Sequence, residues 1–411
     1  MTARAARPEQ VGVSSERLAR IDAHLKNRYL DSGKIPGALT LVFRRGEIAW
    51  LSPMGLMDRE RGVPMAEDTI FRIYSMSKPV TSVALMSLYE HGHFQLDDAV
   101  HKYIPSWRDL RVYQMGNYPA FLTTPCERPM TIRDLLTHMS GLTYGFMQRT
   151  NVDRAYRRLK IGGNEGRSEG TLADMVETLA GVPLEFSPGT AWNYSVSTDI
   201  LGHLVEVLSG ESFDEYLRRH LFEPLEMVDT AFHVPADKVD RFAACYERGP
   251  NKELRLQDDP AKSPYLEKPP LLSGGSGLVS TAADYLRFCR MLLNGGELDG
   301  ARILGRKTIE LMSRNHLPEG RDLMQMATGA FSETTYEGVG FGLGFSVTLD
   351  TAKAQVIGSE GEYAWGGAAS TAFWIDPAED LIVIFLTQLM PSRTFNFRGQ
   401  LKSIIYPALL D

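Results

Sequence analysis

Cysteine is nearly missing: the 411 residues contain three, Cys126, Cys245 and Cys289, widely spaced and without a C-x-x-C pair. An odd, scattered set excludes a disulfide framework, offers no zinc cluster and suits a reducing compartment. Long apolar runs are missing too. The longest, LIVIFL at 381–386 and LTLVF at 39–43, fall far short of the ~18 residues that span a bilayer, so they read as buried strands and no membrane partner is expected. The opening MTARAARPEQ has arginines but no apolar stretch behind them, so no secretory signal is expected and a cytoplasmic location is. Positive charge is not in excess. With 44 Lys and Arg against 51 Asp and Glu, the formal charge is −7, which argues against a nucleic-acid partner. The basic stretch 149–167, with Arg149, Arg154, Arg157, Arg158, Lys160 and Arg167, is interrupted by Asp153 and Glu165 and reads as a solvated face.

What is present is ordinary for a folded soluble chain: 43% hydrophobic and 23% charged residues. At about 150 residues per domain, the length suits one large domain or two cooperating ones. Leu18, Ile21, Leu25 and Tyr29 recur at helical spacing after Ser14 or Ser15, a ready N-cap, so the chain opens with a helix over 14–31. Two apolar runs at 37–45 and 47–52, split by Gly46, predict a hairpin. A long amphipathic helix follows at about 75–91, then short helical patterns and Pro- and Gly-rich loops to about 260. Strand patterns return at 343–349, 370–375 and 381–388. Strands at both ends around a helical middle predict an α+β fold: a central antiparallel sheet built from both chain ends and flanked by helices. The expected division is an α/β domain from 1–100 and 265–411, with a mainly helical insertion at 101–264. Ligand sites favour the seam of such an arrangement.

Several catalytic signatures are absent: G-x-S-x-G, H-E-x-x-H and the G-x-x-x-x-G-K-[ST] phosphate loop. Gly338, Gly340, Gly342 and Gly344 alternate with period two, which suits a strand against which something packs closely. His91 and His93 fall at a helix C-terminus, where a cation offsets the dipole, and do not read as metal ligands. What remains is Ser75-Met76-Ser77-Lys78. Residues three apart on a helix share a face, so the Lys78 ammonium can reach the Ser75 hydroxyl. Pro79 is tolerated only in a first turn, which starts the helix at about Ser75 to Lys78 and puts Ser75 at its mouth, where unpaired N–H groups favour a developing oxyanion.

Two further segments complete a site. Tyr194 stands just before a helix whose apolar positions are Ile200, Leu201, Leu204, Val205 and Leu208; an adjacent ammonium would favour its phenolate, although a tyrosine here is also a common core anchor. Trp365-Gly366-Gly367-Ala368 precedes the strand STAFWI, and glycines at a strand entrance permit close backbone approach, so the Ala368 N–H is a second oxyanion donor beside that of Ser75. A bulge or tight turn is the plainer alternative.

In this order the three segments resemble the serine β-lactamase and penicillin-binding-protein superfamily, in its class C β-lactamase-like branch, over about residues 15–390. The segment from Thr131 to Leu142, TIRDLLTHMSGL, is similar to that branch's helix-and-turn, with Thr131 and Asp134 as a capping pair and Gly141 as a stop. The resemblance implies a β-lactamase-like fold, Ser75 as nucleophile, Lys78 as the lysine that tunes it and Tyr194 as the tyrosine of the Y-x-N motif. Val196 stands where that motif has asparagine, and Trp365-Gly366-Gly367 stands where K-T-G is found. Both departures remove contacts to amide and carboxylate groups, and Y-S-x with W-G-G resembles the family VIII carboxylesterases. The expectation is a serine hydrolase acting on short-acyl esters through a Ser75 acyl-enzyme, with weak β-lactam hydrolysis compatible. Either Tyr194 or Lys78 is in line to take the proton. Trp365, Gly366, Gly367, Val196 and Tyr144 are the expected substrate-contacting residues, with Tyr113, Tyr118 and Phe146 as weaker candidates. No cofactor and no metal is implied, and the partner is a small ester. A β-lactamase or D-amino-acid peptidase, an acyltransferase and a covalent sensor that does not turn over are the rival readings.

Overall fold

The computed structural model describes residues 4, 5, 7–162, 170–329 and 335–411; Glu165 and Arg167 of the basic stretch lie outside the described residues. Eight strands form the main sheet: β1 (Gly37–Arg44), β2 (Glu47–Asp58), β3 (Val63–Pro64), β4 (Val339–Phe341), β5 (Ser346–Thr348), β6 (Tyr363–Gly366), β7 (Ala372–Asp376) and β8 (Leu381–Leu386). Their order is β4-β5-β6-β7-β8-β1-β2-β3, and every neighbouring pair is antiparallel. The two chain ends meet where β1 pairs with β8, so closing the sheet requires both.

Every residue of β1 and of β8 is buried, because helices cover both faces. The register sorts side chains by face. Leu41 opposite Ile384 points to one core, and Val42 opposite Val383 points to the other. On the second face lie helix α1 (Ser15–Leu25) and a helix from the C-terminal end, which pack Leu18, Ile21, Leu25, Phe397 and Leu401 against Val42, Val383 and Phe385. Burying each such side chain stabilises the fold by about 1.5–3 kcal/mol. The Ser14 hydroxyl caps α1 by accepting the Arg17 N–H, and the helix runs on through a wider turn at Lys26–Leu30 that buries Tyr29.

On the opposite face lies α2 (Ser77–Glu90), entered through a 3-10 turn at Tyr74–Met76. The expected amphipathic pattern is not what the helix shows: every residue from Ser77 to Leu88 is buried. Packed between the sheet and the middle segment, α2 has no solvent face over Ser77 to Leu88, and two of its hydroxyls turn to carbonyls, Thr81 to Gly274 and Ser87 to Ala84. The middle segment contributes α3 (Ile132–Leu136), helices at Asn151–Arg158 and Leu172–Ala180, and α4 (Ser197–Ser209). A hairpin at Arg111–Asn117 and Ala120–Pro125, largely solvated, was not expected there, because its exposed faces leave little apolar alternation to read. Helix α5 (Ala282–Leu293) returns the chain to the sheet, and α6 (Phe397–Ile405) is the C-terminal helix already placed on its second face.

Thr131 and Asp134 cap α3 reciprocally, but Gly141 is not its stop. The helix ends at Thr137, and Gly141, at φ 84°, is where the chain passes against the Phe186 carbonyl. Of the alternating glycines, Gly340 lies inside β4 against the Asn315 side chain, whereas Gly338 and Gly344 adopt positive φ in the flanking turns. The cysteines are free, and His91 caps the C-terminus of α2 with its Nδ1 on the Ser87 carbonyl oxygen. Among the described residues no helix is long and apolar enough to cross a membrane, and no cluster of three metal-ligating side chains occurs.

Candidate active site

Ser75 sits in the 3-10 turn that feeds α2, with 8% of its surface exposed. The residue before it, Tyr74, is held at φ 42° and buried, a left-handed conformation that costs a non-glycine residue of order 1–3 kcal/mol. That sharp reversal lets the chain leave the strand Phe71–Arg72 and enter α2 with Ser75 at the junction. Lys78, one helical turn on, is almost wholly buried; its ammonium donates to Ser75 Oγ at 3.2 Å and to the Gly275 carbonyl at 2.7 Å. The Tyr194 hydroxyl, from the loop ahead of α4, donates to the same Ser75 Oγ at 2.7 Å. The Lys78 ammonium also lies 4.5 Å from the centre of the Tyr194 ring and 5.3 Å from that of Tyr144. The structure thus brings together Ser75, Lys78 and Tyr194, which lie up to 119 residues apart in the chain.

Trp365 and Gly366 are not at the entrance of the strand STAFWI: they end β6, and Gly367 to Ser370 turn the chain into β7. A Cβ on Gly367 would press into the Ile73 carbonyl and the Thr371 hydroxyl, so only glycine lets this turn close on the backbone just before Ser75. Among the described residues, neither the Ser75 nor the Ala368 N–H has a hydrogen-bond acceptor, and Ala368 is part-exposed. Two unspent donors near a serine hydroxyl are groups of the kind that can hold an oxyanion.

Aromatic rings wall the site. Trp365 is buried with its ring 5.5 Å from Tyr194 and 5.4 Å from Phe341, and Tyr144 lies 5.2 Å from Tyr194 and stacks on Phe146 at 4.7 Å. Val196 has no exposed surface; it packs beneath Gly162, where an added Cβ would stand 2.6 Å from its Cγ1. Tyr113 and Tyr118 lie on the solvated hairpin, Tyr113 accepting a hydrogen bond from Asn151 and Tyr118 lying under the Arg158 guanidinium.

Three residues belong to the site that the motifs did not single out. His138 lies 5.0 Å from the Tyr194 ring and pairs with the Ser195 hydroxyl at 3.2 Å; burial, and then the Lys78 charge, hold it well below the usual imidazole range, so it is neutral. Gly275 supplies the carbonyl that orients Lys78, and Asp199 lies behind it. The only advance sign of the latter two was a Ser- and Gly-rich stretch at 273–277 and an acid in a first helical turn.

A family model described as beta-lactamase matches residues 21–403. Protein Rv1367c of Mycobacterium tuberculosis is 36% identical over 364 residues, 88% of each chain. Esterase EstB of Burkholderia gladioli is 32% identical over 403 residues, 94% of each chain. The solved structure of EstCE1, a hydrolase with promiscuous acyltransferase activity, superposes with a TM-score of 0.77 at 27% identity, over 96% of this chain and 99% of that one.

Proposed function

This chain belongs to the beta-lactamase family, and we propose that it is a serine carboxylesterase that hydrolyses uncharged short-acyl esters through a Ser75 acyl-enzyme. The observation that carries the reading is the convergence of the Tyr194 hydroxyl and the Lys78 ammonium on Ser75 Oγ, at 2.7 and 3.2 Å. Likeness to an esterase over nearly the whole chain supports it.

In the reactive form Tyr194 is the phenolate, stabilised by the buried ammonium of Lys78, and Tyr194 Oη takes the Ser75 proton as Oγ bonds to the ester carbonyl carbon. The carbonyl oxygen becomes an oxyanion held by the N–H groups of Ser75 and Ala368. As that intermediate collapses the carbon–alkoxy bond breaks, and the alcohol leaves with the proton from Tyr194. Water then gives its proton to Tyr194, attacks the acyl carbon and releases the acid, returning the proton to Oγ. Trp365 brings apolar surface and no positive charge to the wall, which favours neutral esters over substrates that carry a carboxylate. The likeness to EstCE1 supports a second outlet for the same acyl-enzyme, transfer to an added alcohol.

The test is to assay a short-chain p-nitrophenyl ester and a chromogenic cephalosporin in parallel, each with the wild type and with Ser75→Ala. Ester turnover well above lactam turnover, both lost in the variant, is expected. Dominant lactam hydrolysis would contradict the substrate class, and undiminished ester turnover in Ser75→Ala would contradict the nucleophile.

A further inference from the structure

The Lys78 ammonium is taken out of water, and two of the acceptors it faces, Ser75 Oγ and Gly275 O, are neutral. A buried ion is costly unless an opposite charge and full hydrogen bonding compensate it. Behind Gly275 lies a carboxyl group that can supply such a charge. Asp199, in the first turn of α4 and itself buried, reaches across to residues 273–275: its Oδ1 accepts the Ser273 hydroxyl and, at 3.1 Å, the Gly275 N–H. The same Gly275 presents its carbonyl to Lys78 at 2.7 Å. A Cβ on Gly275 would stand 2.9 Å from Asp199 Oδ2 and 2.9 Å from the Tyr144 hydroxyl, so the second carboxylate oxygen and that phenol close on one backbone atom. One residue of backbone therefore separates the carboxylate from the ammonium.

We propose that Asp199 is a positioning residue for acyl transfer: its carboxylate fixes the 273–275 turn so that the Gly275 carbonyl aims the Lys78 ammonium at Ser75 Oγ, and its charge keeps that ammonium protonated. The proposal rests on the roles given above to Ser75, Lys78 and Tyr194. Among the described residues, the titratable groups around Lys78 include Tyr194 ahead of α4, Asp199 on it, and His138 and Tyr144 from the connection after α3. His138 is held neutral, and burial raises the Tyr144 phenol well above its usual range, so Tyr144 is neutral as well. For Asp199, burial raises the carboxyl above its ordinary value, and the Ser273 hydroxyl and Lys78 offset part of that rise in favour of the charged form. Removing that negative charge makes Lys78 easier to deprotonate.

The experiment measures kcat and KM for a short-chain p-nitrophenyl ester across the pH range, for the wild type, Asp199→Asn and Ser273→Ala. A fluorophosphonate titration counts competent sites and a melting curve reports the fold. In Asp199→Asn, kcat per titrated site is expected to fall about 10²-fold, as misplacement of a reacting group does, with KM within about twofold. The alkaline limb of kcat/KM moves to lower pH by about one unit. Ser273→Ala, which removes one donor and keeps the carboxylate, moves the limb the same way by less and guards against a failure of the first variant to fold. A limb that stays in place in both variants, with any loss of rate matched by lost sites or a lower melting temperature, overturns the proposal. If Ser75→Ala retains ester turnover, the acyl-enzyme reading fails first; an unmoved limb with Ser75 still essential defeats Asp199 alone.

Discussion

At the residue scale, the proposed chemistry depends on one oxygen with two neighbours. Tyr194→Phe removes the hydroxyl 2.7 Å from Ser75 Oγ while keeping a ring packed against Tyr144 and Trp365. Loss of a general base typically costs 10²–10⁴-fold, so kcat on a p-nitrophenyl ester is expected to drop by about 10²-fold or more with KM little changed. Steady-state kinetics check this, and an unchanged kcat would leave Lys78 as the base. The pair Ser75 and Lys78 was legible because an i, i+3 spacing is local and a proline dates the helix start. Tyr194 was legible only through its order relative to the other motifs, since nothing local distinguishes it from a core tyrosine. Gly275 and Asp199 were not legible: Gly275 lies 197 residues from Lys78 and contributes a backbone carbonyl, a group every residue possesses.

At the scale of the element, the turn between β6 and β7 decides where the Ala368 N–H points. Gly367→Ala forces a methyl group into the Ile73 carbonyl and the Thr371 hydroxyl, so the turn must move away from Ser75. Displacing this proposed oxyanion donor is expected to slow acylation by about 10²-fold or more, read as the rate of fluorophosphonate labelling of Ser75, whereas the melting temperature should fall by only a few degrees. Labelling at the wild-type rate would show that the Ala368 N–H does not serve the oxyanion. Strands with long apolar runs, such as β1 and β8, stood out in the sequence, as did the capped start of α1. Strand β6 did not, because it is four residues long and ends in a glycine, and its pairing comes from neighbours in the sheet. The burial of α2 on all sides was equally hidden, since packing by distant segments gives a helix its environment.

At the scale of the whole molecule, the middle segment is tied to the sheet-covering helices by buried polar groups with titration of their own. Asp284, at the start of α5, accepts the Asp229 N–H at 2.7 Å and the Thr230 hydroxyl at 2.8 Å, and burial pushes its carboxyl up to about 6 from an ordinary 3.8. Because the folded state holds this proton more tightly than the unfolded chain, its contribution to stability falls as pH rises from about 4 through about 6 and is constant above. Asp284→Asn keeps an acceptor oxygen and does not titrate, so it should gain on the wild type by up to about 3 kcal/mol between pH 4 and pH 7 in urea unfolding. A pH-independent difference between the two would contradict this. The sheet built from both chain ends was legible from where the strand patterns fell, whereas this tie between segments, 54 residues apart, was not. Under all of these effects lies the claim that the intact protein turns over esters through one serine. Intact-mass and peptide-mapping mass spectrometry of the enzyme, acid-quenched during turnover of a short-chain p-nitrophenyl ester, tests it most directly. One acyl group on Ser75, absent in Ser75→Ala, is the result predicted; hydrolysis with no adduct, or an adduct on another residue, would contradict it.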